Sequence, residues 1–394
     1  MTTADIYPRR RTSLLHVAYR TAGFCIELVF RCIVATYYFV TYFLVEMPRW
    51  KFAVGHLAHS GTPQSTGLWC IFATAQDKQI SDNLIAFLSC LQNAGYNVIL
   101  VNNGNLAAEF RKKLTPYCHS VIEKPRGGRD FGGYKWGTKV VYDLKHHPRQ
   151  ITQVIYCNDS TFVRPSTLEL LLSRIRQMSD DYIGITDTFD QNYHVQSWFF
   201  AASGQLFYSA AFQKFWHSYV PLSYRRHCIK NGEVGISKYL SKHGIHPNPL
   251  YTQTMILDLI FAGTLSEAVD RLLLGLSPSD YRELTAAMQQ IAFAHSPDGT
   301  AGSFLRRDIM EQIGMSNTMN TANLILIRYT AFPFLKKDLI YRGDYLFSQI
   351  QDAIAEWVGE DAAYLTEILA YFRSRGTLQQ QYSPSAILAR MGLL

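Results

Sequence analysis

The sequence predicts an α/β fold: a doubly wound, mostly parallel sheet, with helices before it and a helical region after it. Three observations carry that reading. Short apolar runs alternate with helix-spaced segments between residues 66 and 255. A long apolar stretch with a basic start precedes them, from about Leu14 to Met47. After residue 255 the strand rhythm stops and helical spacing takes over. The chain accordingly divides into 1–65, 66–255 and 256–394.

In the first region Arg9, Arg10 and Arg11 precede the apolar stretch, and Arg20, Glu27 and Arg31 interrupt its first half. The run from Cys32 to Val45 is shorter than the ~20 apolar residues of a spanning helix. A signal peptide fits poorly, because no small-residue cleavage site follows a short apolar core. Three readings stay open: helices lying on the inner face of a membrane, helices packed on the body of the protein, and a true span.

In the central region 68–74 is a buried strand. Helical spacing runs over 81–93, with Leu84, Ile85, Leu88 and Leu91 on one face and Gly95 as the stop. Residues 96–103 form the next strand, 106–114 a helix and 120–124 a third strand. A glycine-rich segment follows, then a helix from about 134 to 144. Residues 153–157 are a fourth strand, 168–178 a helix and 182–186 a further strand. In the last region 265–274, 279–293, 303–313, 344–358 and 360–373 read as helices.

Composition narrows the partners. Of 394 residues 48% are apolar and 18% charged, ample for a core. The formal charge of +7 favours an anionic partner, a phosphorylated ligand or a membrane surface. No Lys/Arg run points to nucleic acid. The seven cysteines are scattered without CxxC spacing, which argues against a zinc site or a disulfide framework and for reduced thiols in a cytoplasmic setting.

Two segments carry the chemistry. Residues 125–137 interleave five glycines with Arg126, Arg129, Asp130, Tyr134, Lys135 and Trp136. Glycine lets backbone N–H groups approach a ligand, and arginine forks onto phosphate oxygens. The segment reads as a cradle for an anionic, ring-bearing ligand such as a nucleotide-sugar, with Arg129 near the pyrophosphate, Asp130 on hydroxyls, and Gly132 and Gly133 allowing close approach. It is neither a Walker loop nor GxGxxG. The second segment is Asn158-Asp159-Ser160 at a strand end, where ligands of such sheets bind. Asp159 is the candidate to hold a diphosphate or its Mg²⁺ or Mn²⁺ ion, as the lone carboxylate there; a strand-end turn is the bland alternative. Together the two segments suggest a glycosyltransferase.

Further candidates surround them. Asp187 follows a strand, and His194, Gln196 and Trp198 form a polar and aromatic cluster suited to sugar hydroxyls. Glu233 precedes a helix and reads either as a helix-dipole charge or as the general base of an inverting transfer, with Asp187 as runner-up. Lys336 follows an apolar turn and could return to the diphosphate.

These segments, taken in order, resemble the rhamnan synthesis protein F glycosyltransferases. The resemblance rests on 128–134, Asn158-Asp159-Ser160 with Pro165, 184–187, 194–199, Phe212 with Phe215 and Trp216, 233–235, and 332–337, and covers about 68–345. It implies a GT-A-like fold and transfer of a sugar, L-rhamnose or another hexose, from a dTDP-, UDP- or GDP-linked donor. The acceptor would be a bacterial surface polysaccharide, as a glycan or lipid-linked chain, at the cytoplasmic face of the cell membrane. A non-catalytic component that binds the nucleotide-sugar or polysaccharide within a synthesis complex is the alternative.

Overall fold

The structure, a computed structural model, describes residues 14–48, 56–60, 64–76, 80–143, 151–261, 317–340, 345 and 347–375. The helices expected at 265–274, 279–293 and 303–313 lie outside the described residues. The strands are β1 (His56–Ser60), β2 (Leu68–Thr74), β3 (Asn97–Asn103), β4 (Ser120–Lys124), β5 (Gln153–Asn158), β6 (Thr161–Val163), β7 (Tyr182–Thr188), β8 (His194–Val195), β9 (Phe199–Ser203), β10 (Asn248–Tyr251) and β11 (Phe334–Lys336). The helices used below are α1 (Leu14–Thr41), α2 (Asp82–Asn93), α3 (Ala108–Leu114), α4 (Arg129–Asp143), α5 (Pro165–Gln177), α6 (Ala210–Ser218), α7 (Val234–Ser241), α8 (Phe347–Val358) and α9 (Ala362–Arg375).

The main sheet runs β1-β4-β3-β2-β5-β9-β7-β10, with β8 attached to β7. Strands β4, β3, β2 and β5 are parallel neighbours, and so are β7 and β10. Strand β9 lies antiparallel between β5 and β7, and β1 closes one edge antiparallel to β4. The fold class expected from sequence is therefore present: a mostly parallel α/β sheet. Each β2 side chain shows why helices cover both faces. Cys70 and Phe72 join a core with α2, α5, α8 and α9, while Trp69, Ile71 and Ala73 join one with α4, α6 and α7. Alternation along a strand sends successive residues to opposite faces, and both faces must be covered.

Three differences from the sequence reading have physical causes. The helix expected from 134 begins at Arg129, because Gly132, Gly133 and Gly137 are helical and serve contact with the sheet. A Cβ at Gly133 would lie 2.8 Å from the Ala73 Cβ, and one at Gly137 2.4 Å from the Ile71 Cγ2. The C-terminal region is not purely helical: β11 pairs antiparallel with β6, Lys336 opposite Thr161. The strands β1, β6, β8, β9 and β10 were not read from sequence, and β1 lies within the region 1–65 that was expected to be helical; β6, β8 and β10 are two to four residues long, too short to register as a period.

The N-terminal helix α1 continues through a π-helical turn at Tyr42–Glu46. Among the described residues its contacts with the body include Val34, Ala35, Tyr38, Tyr42 and Met47, packed with Val220, Leu222 and Tyr224. Tyr42 packs with Leu222 and Tyr224, and the Tyr38 and Tyr224 rings stack at 5.5 Å. Leu28, Val29, Ile33, Tyr37, Phe39 and Leu44 are exposed.

Candidate active site

The carboxyl ends of the parallel strands open into a cleft of about 1110 Å³. Of the residues singled out from sequence, Arg129, Asp130, Asn158, Asp159, Ser160, Gln196, Trp198, Glu233 and Lys336 line it. Four do not. Gly132 and Gly133 are buried in α4, His194 is fully buried behind the wall, and Asp187 is turned away.

Arg129 enters the cleft from a strained turn. Gly127, Gly128 and Arg129 have φ of 131°, 71° and 49°. Glycine accepts this region freely, but for Arg129 it costs on the order of 1–3 kcal/mol. The surroundings enforce it. The buried Lys124 ammonium donates to Asn103 Oδ1 at 2.6 Å and to the Gly127 carbonyl. Gly127 N–H donates to the same Asn103 oxygen at 2.9 Å, and Gly128 N–H donates to Ser223 Oγ at 3.0 Å. The turn thus starts α4 with Arg129 and Asp130 facing the cleft. Burial by the surrounding protein and the nearby Asp159 carboxylate raise the Asp130 pKa, against Arg129 and Lys336; its exposed side toward cleft water screens the effect.

Asn158 at the end of β5 serves both readings made of it. Its Oδ1 accepts from Ser160 N–H at 3.0 Å, a strand-end turn, while its Nδ2 donates to Asp130 Oδ2 at 2.9 Å. Asp159 Oδ2 accepts from Thr74 Oγ1 at 2.6 Å and Gln76 Nε2 at 2.5 Å. Among the described residues no group of three or more His, Cys, Asp or Glu side chains is arranged to hold a metal ion. With one carboxylate oxygen already committed to two donors, this set does not fit a resident divalent cation. Lys336 and Lys337 supply positive charge instead. Lys337 N–H donates to the Ser160 carbonyl at 3.0 Å, so the β6–β11 pair delivers both lysines beside Asp159.

The far wall holds Glu233. It closes a π-helical turn at Cys228–Glu233, where Gly232 lets the turn meet Phe131: a Cβ there would lie 2.9 Å from the ring. Glu233 Oε2 accepts from Ser197 N–H at 2.8 Å and Ser197 Oγ at 2.5 Å. Its Oε1 lies 3.4 Å from His194 Nε2, and Asp190 Oδ1 lies 3.9 Å from the same nitrogen. His194 Nδ1 donates to the Asn192 carbonyl at 2.7 Å. Burial alone would lower the imidazole, yet Glu233, the Asn192 carbonyl and Asp190 carry it above its ordinary 6.5. Burial alone would raise the Glu233 carboxyl, but His194 and Ser197 hold it down to about 2. Both shifts favour an ion pair between Glu233 and His194, with Asp190 as a second, more distant carboxylate on the same ring nitrogen.

The remaining candidates support the wall. Gln196 accepts from Thr186 Oγ1 at 2.7 Å and donates to Asn317 Oδ1 at 2.8 Å. Trp198 packs edge-on against Phe334 at 4.7 Å. Asp187 Oδ1 accepts from Gln253 N–H at 2.8 Å, and burial raises its pKa. Its carboxylate caps the segment after β10. Residues not singled out from sequence also line the cleft: Gln76, Arg225, Asn317, Glu367, Tyr371 and Arg375. Tyr364, Glu367, Tyr371 and Arg375 recur at helical spacing, a signal that was readable as one face of α9.

Comparison with known proteins adds a family match over part of the chain. Residues 98–261 match the family model of rhamnan synthesis protein F. The matched span holds Arg129, Asp130, Asp159, His194 and Glu233. An uncharacterized protein, y4gN, from Sinorhizobium fredii (strain NBRC 101917 / NGR234) is 25% identical over 209 residues, 52% of this chain and 54% of that protein. The chain thus spans about half the length of the curated relative it matches. Among solved structures, a proposed nucleotide-diphospho-sugar transferase from Desulfovibrio desulfuricans G20 is similar at 10% identity, covering 50% of this chain and 88% of that one with a TM-score of 0.26. A cytidylyltransferase from Leptospira borgpetersenii serovar Hardjo-bovis is similar at 11% identity, covering 52% and 90%, with a TM-score of 0.28. Both likenesses are weak in superposition.

Proposed function

We propose that the chain is an inverting glycosyltransferase that uses a nucleotide-sugar and extends a bacterial surface polysaccharide, with L-rhamnose one candidate sugar. The observation that carries this reading is the convergence, in one cleft at the strand ends, of Arg129, Asp130, Asp159 and Lys336 with a carboxylate held ionised by a buried imidazolium. The family match supports a nucleotide-sugar-using enzyme. The built Glu233–Ser197–His194 arrangement favours catalysis over mere binding.

In this mechanism Glu233 accepts the proton of the acceptor hydroxyl as that oxygen attacks the sugar C1. The C1–O bond to the diphosphate breaks on the opposite face, and the nucleoside diphosphate leaves with the bonding electrons. A hydroxyl oxygen forming a new C–O bond becomes strongly acidic, so a carboxylate of low proton affinity can take the proton late in the step. His194 keeps the carboxylate in place and ionised. Lys336 and Lys337 offset the charge that develops on the leaving diphosphate.

The membrane belongs to the same proposal. Residues Leu28–Val45 form an apolar helical stretch whose side chains are almost all outside the protein core. Eighteen helical residues reach about 27 Å, close to a bilayer's hydrocarbon thickness. Helix α1 would anchor the chain at the cytoplasmic face of the membrane. Its contact residue Tyr224 directly precedes Arg225 of the cleft wall, so a lipid-linked glycan acceptor would meet the site from this side.

The test is nucleoside diphosphate release from UDP-, dTDP- and GDP-linked sugars by the purified chain in detergent or vesicles. Release from one class, strengthened by membrane-derived acceptor, is expected. Release from none would sink the proposal.

A further inference from the structure

We infer that the end of the cleft carrying Lys337, Tyr371 and Arg375 holds the nucleoside diphosphate of the donor, making helix α9 part of the donor site. This rests on the reading of the chain as an inverting transferase with Glu233 as base. It relocates the diphosphate away from Arg129, which then faces the sugar.

The order of groups along the cleft is the first argument. Glu233 is fixed on Ser197 at one wall, and Asp130 is bonded to Asn158 beside it. Asp159 follows, and the Ser160 carbonyl accepts from Lys337 N–H. The Lys337 ammonium lies 5.1 Å from the Phe162 ring centroid and 5.9 Å from that of Tyr371. The Arg375 guanidinium lies 5.3 Å from the same Tyr371 centroid. The electrostatics run in the same order: Asp130 feels both Glu233 and Asp159, whereas Lys337 feels Asp159, Glu367 and Arg375. Inversion requires the base and the leaving group on opposite faces of C1. With the base at Glu233 and the sugar at Asp130, the leaving nucleoside diphosphate extends toward Lys337 and Tyr371.

The chemistry of that end is the second argument. A nucleoside diphosphate is a planar base on a pentose that carries two phosphates. Two cations gathered around one aromatic ring suit both halves: the ring offers a stacking face or edge, and the cations meet the phosphates. Burial lowers the Lys337 pKa, and Asp159 and Glu367 work against that; a bound phosphate would favour its charged form further. Glu367 offers an acceptor for ribose hydroxyls or base N–H groups.

The third argument is rigidity. Tyr364 Oη donates to the Val163 carbonyl at 2.7 Å and accepts from Val163 N–H at 3.1 Å, pinning α9 to β6. Tyr371, two helical turns on, is thereby placed over the cleft before any ligand arrives.

The experiment is calorimetric titration of the full chain with UDP, dTDP, GDP and CDP, comparing wild type with Tyr371→Ala, Arg375→Gln and, on the exposed face of α6 outside the cleft, Lys214→Gln. Arg375 is exposed, so its variant should fold; circular dichroism and Tm check this. The expected result is binding of at least one nucleotide by wild type and, equally, by Lys214→Gln. Binding should be about tenfold weaker in Tyr371→Ala and in Arg375→Gln, the loss of one charge-assisted or stacking contact each. Unchanged affinity in both of those variants would overturn this subsite and leave the transferase reading standing. No binding of any nucleotide by wild type would overturn both.

Discussion

Replacing Glu233 by Gln keeps the side chain's shape and removes one charge from the pair with His194. The carboxyl drops from an ordinary 4.5 to about 2 in the folded protein. At about 1.36 kcal/mol per tenfold change in proton affinity, that is about 3 kcal/mol, within the range measured for breaking buried pairs. The pH window follows from both partners. A depressed carboxyl stabilises fully above 4.5 and loses that contribution as pH falls toward 2. A raised imidazole stabilises fully below 6.5 and loses its contribution as pH rises through the higher folded value. The pair is strongest between those limits. Urea unfolding of wild type and Glu233→Gln should therefore differ by about 3 kcal/mol near pH 6 and by clearly less near pH 9, where a neutral His194 can sit beside an amide. A difference that is constant over that range, or larger at alkaline pH, would refute the ion pair.

Three other outcomes are expected. Gly137→Ala should destabilise the fold by about 1–3 kcal/mol, since its Cβ would press on Ile71 of β2, and chemical denaturation would report it. Arg129→Gly should separate stability from activity: relief of the positive φ should raise stability by about 1 kcal/mol, while loss of the guanidinium should lower donor turnover, measured as nucleoside diphosphate release. Deleting residues 1–48 should abolish flotation with liposomes yet leave nucleotide-sugar hydrolysis within about threefold, because the described contacts of this segment, Val34, Ala35, Tyr38, Tyr42 and Met47 with Val220, Leu222 and Tyr224, lie outside the cleft lining. Loss of all hydrolysis, or continued flotation, would count against the anchor.

Most of the sheet was legible because its parallel core strands are short apolar runs: 68–74, 96–103, 120–124, 153–157 and 182–186 all became strands within a few residues, whereas the central antiparallel β9 was missed. The glycine-rich segment was legible as important but misread in form. Its glycines look like a loop; only the sheet beneath them, with Ala73 and Ile71 in contact distance, shows that they are helical and let α4 lie close. The strand-end position was enough to put Asp159 in the cleft, whereas the partners of each polar group were beyond reach. Nothing local tells that His194 would back onto Glu233, 39 residues away, or that Asp187 would cap Gln253. The α9 face carrying Tyr371 was a different case: its spacing was on the page, but a half-polar helical face reads as solvent-exposed until another element brings a cleft to it.

The most direct test of the central claim is the configuration of the product. Proton NMR of the glycoside formed from the accepted nucleotide-sugar reports the anomeric centre within one turnover series. An anomer opposite to that of the donor is expected, with the activity lost in Glu233→Gln. A retained configuration would contradict the placement of Glu233 as base opposite the leaving diphosphate, and with it the account of the cleft.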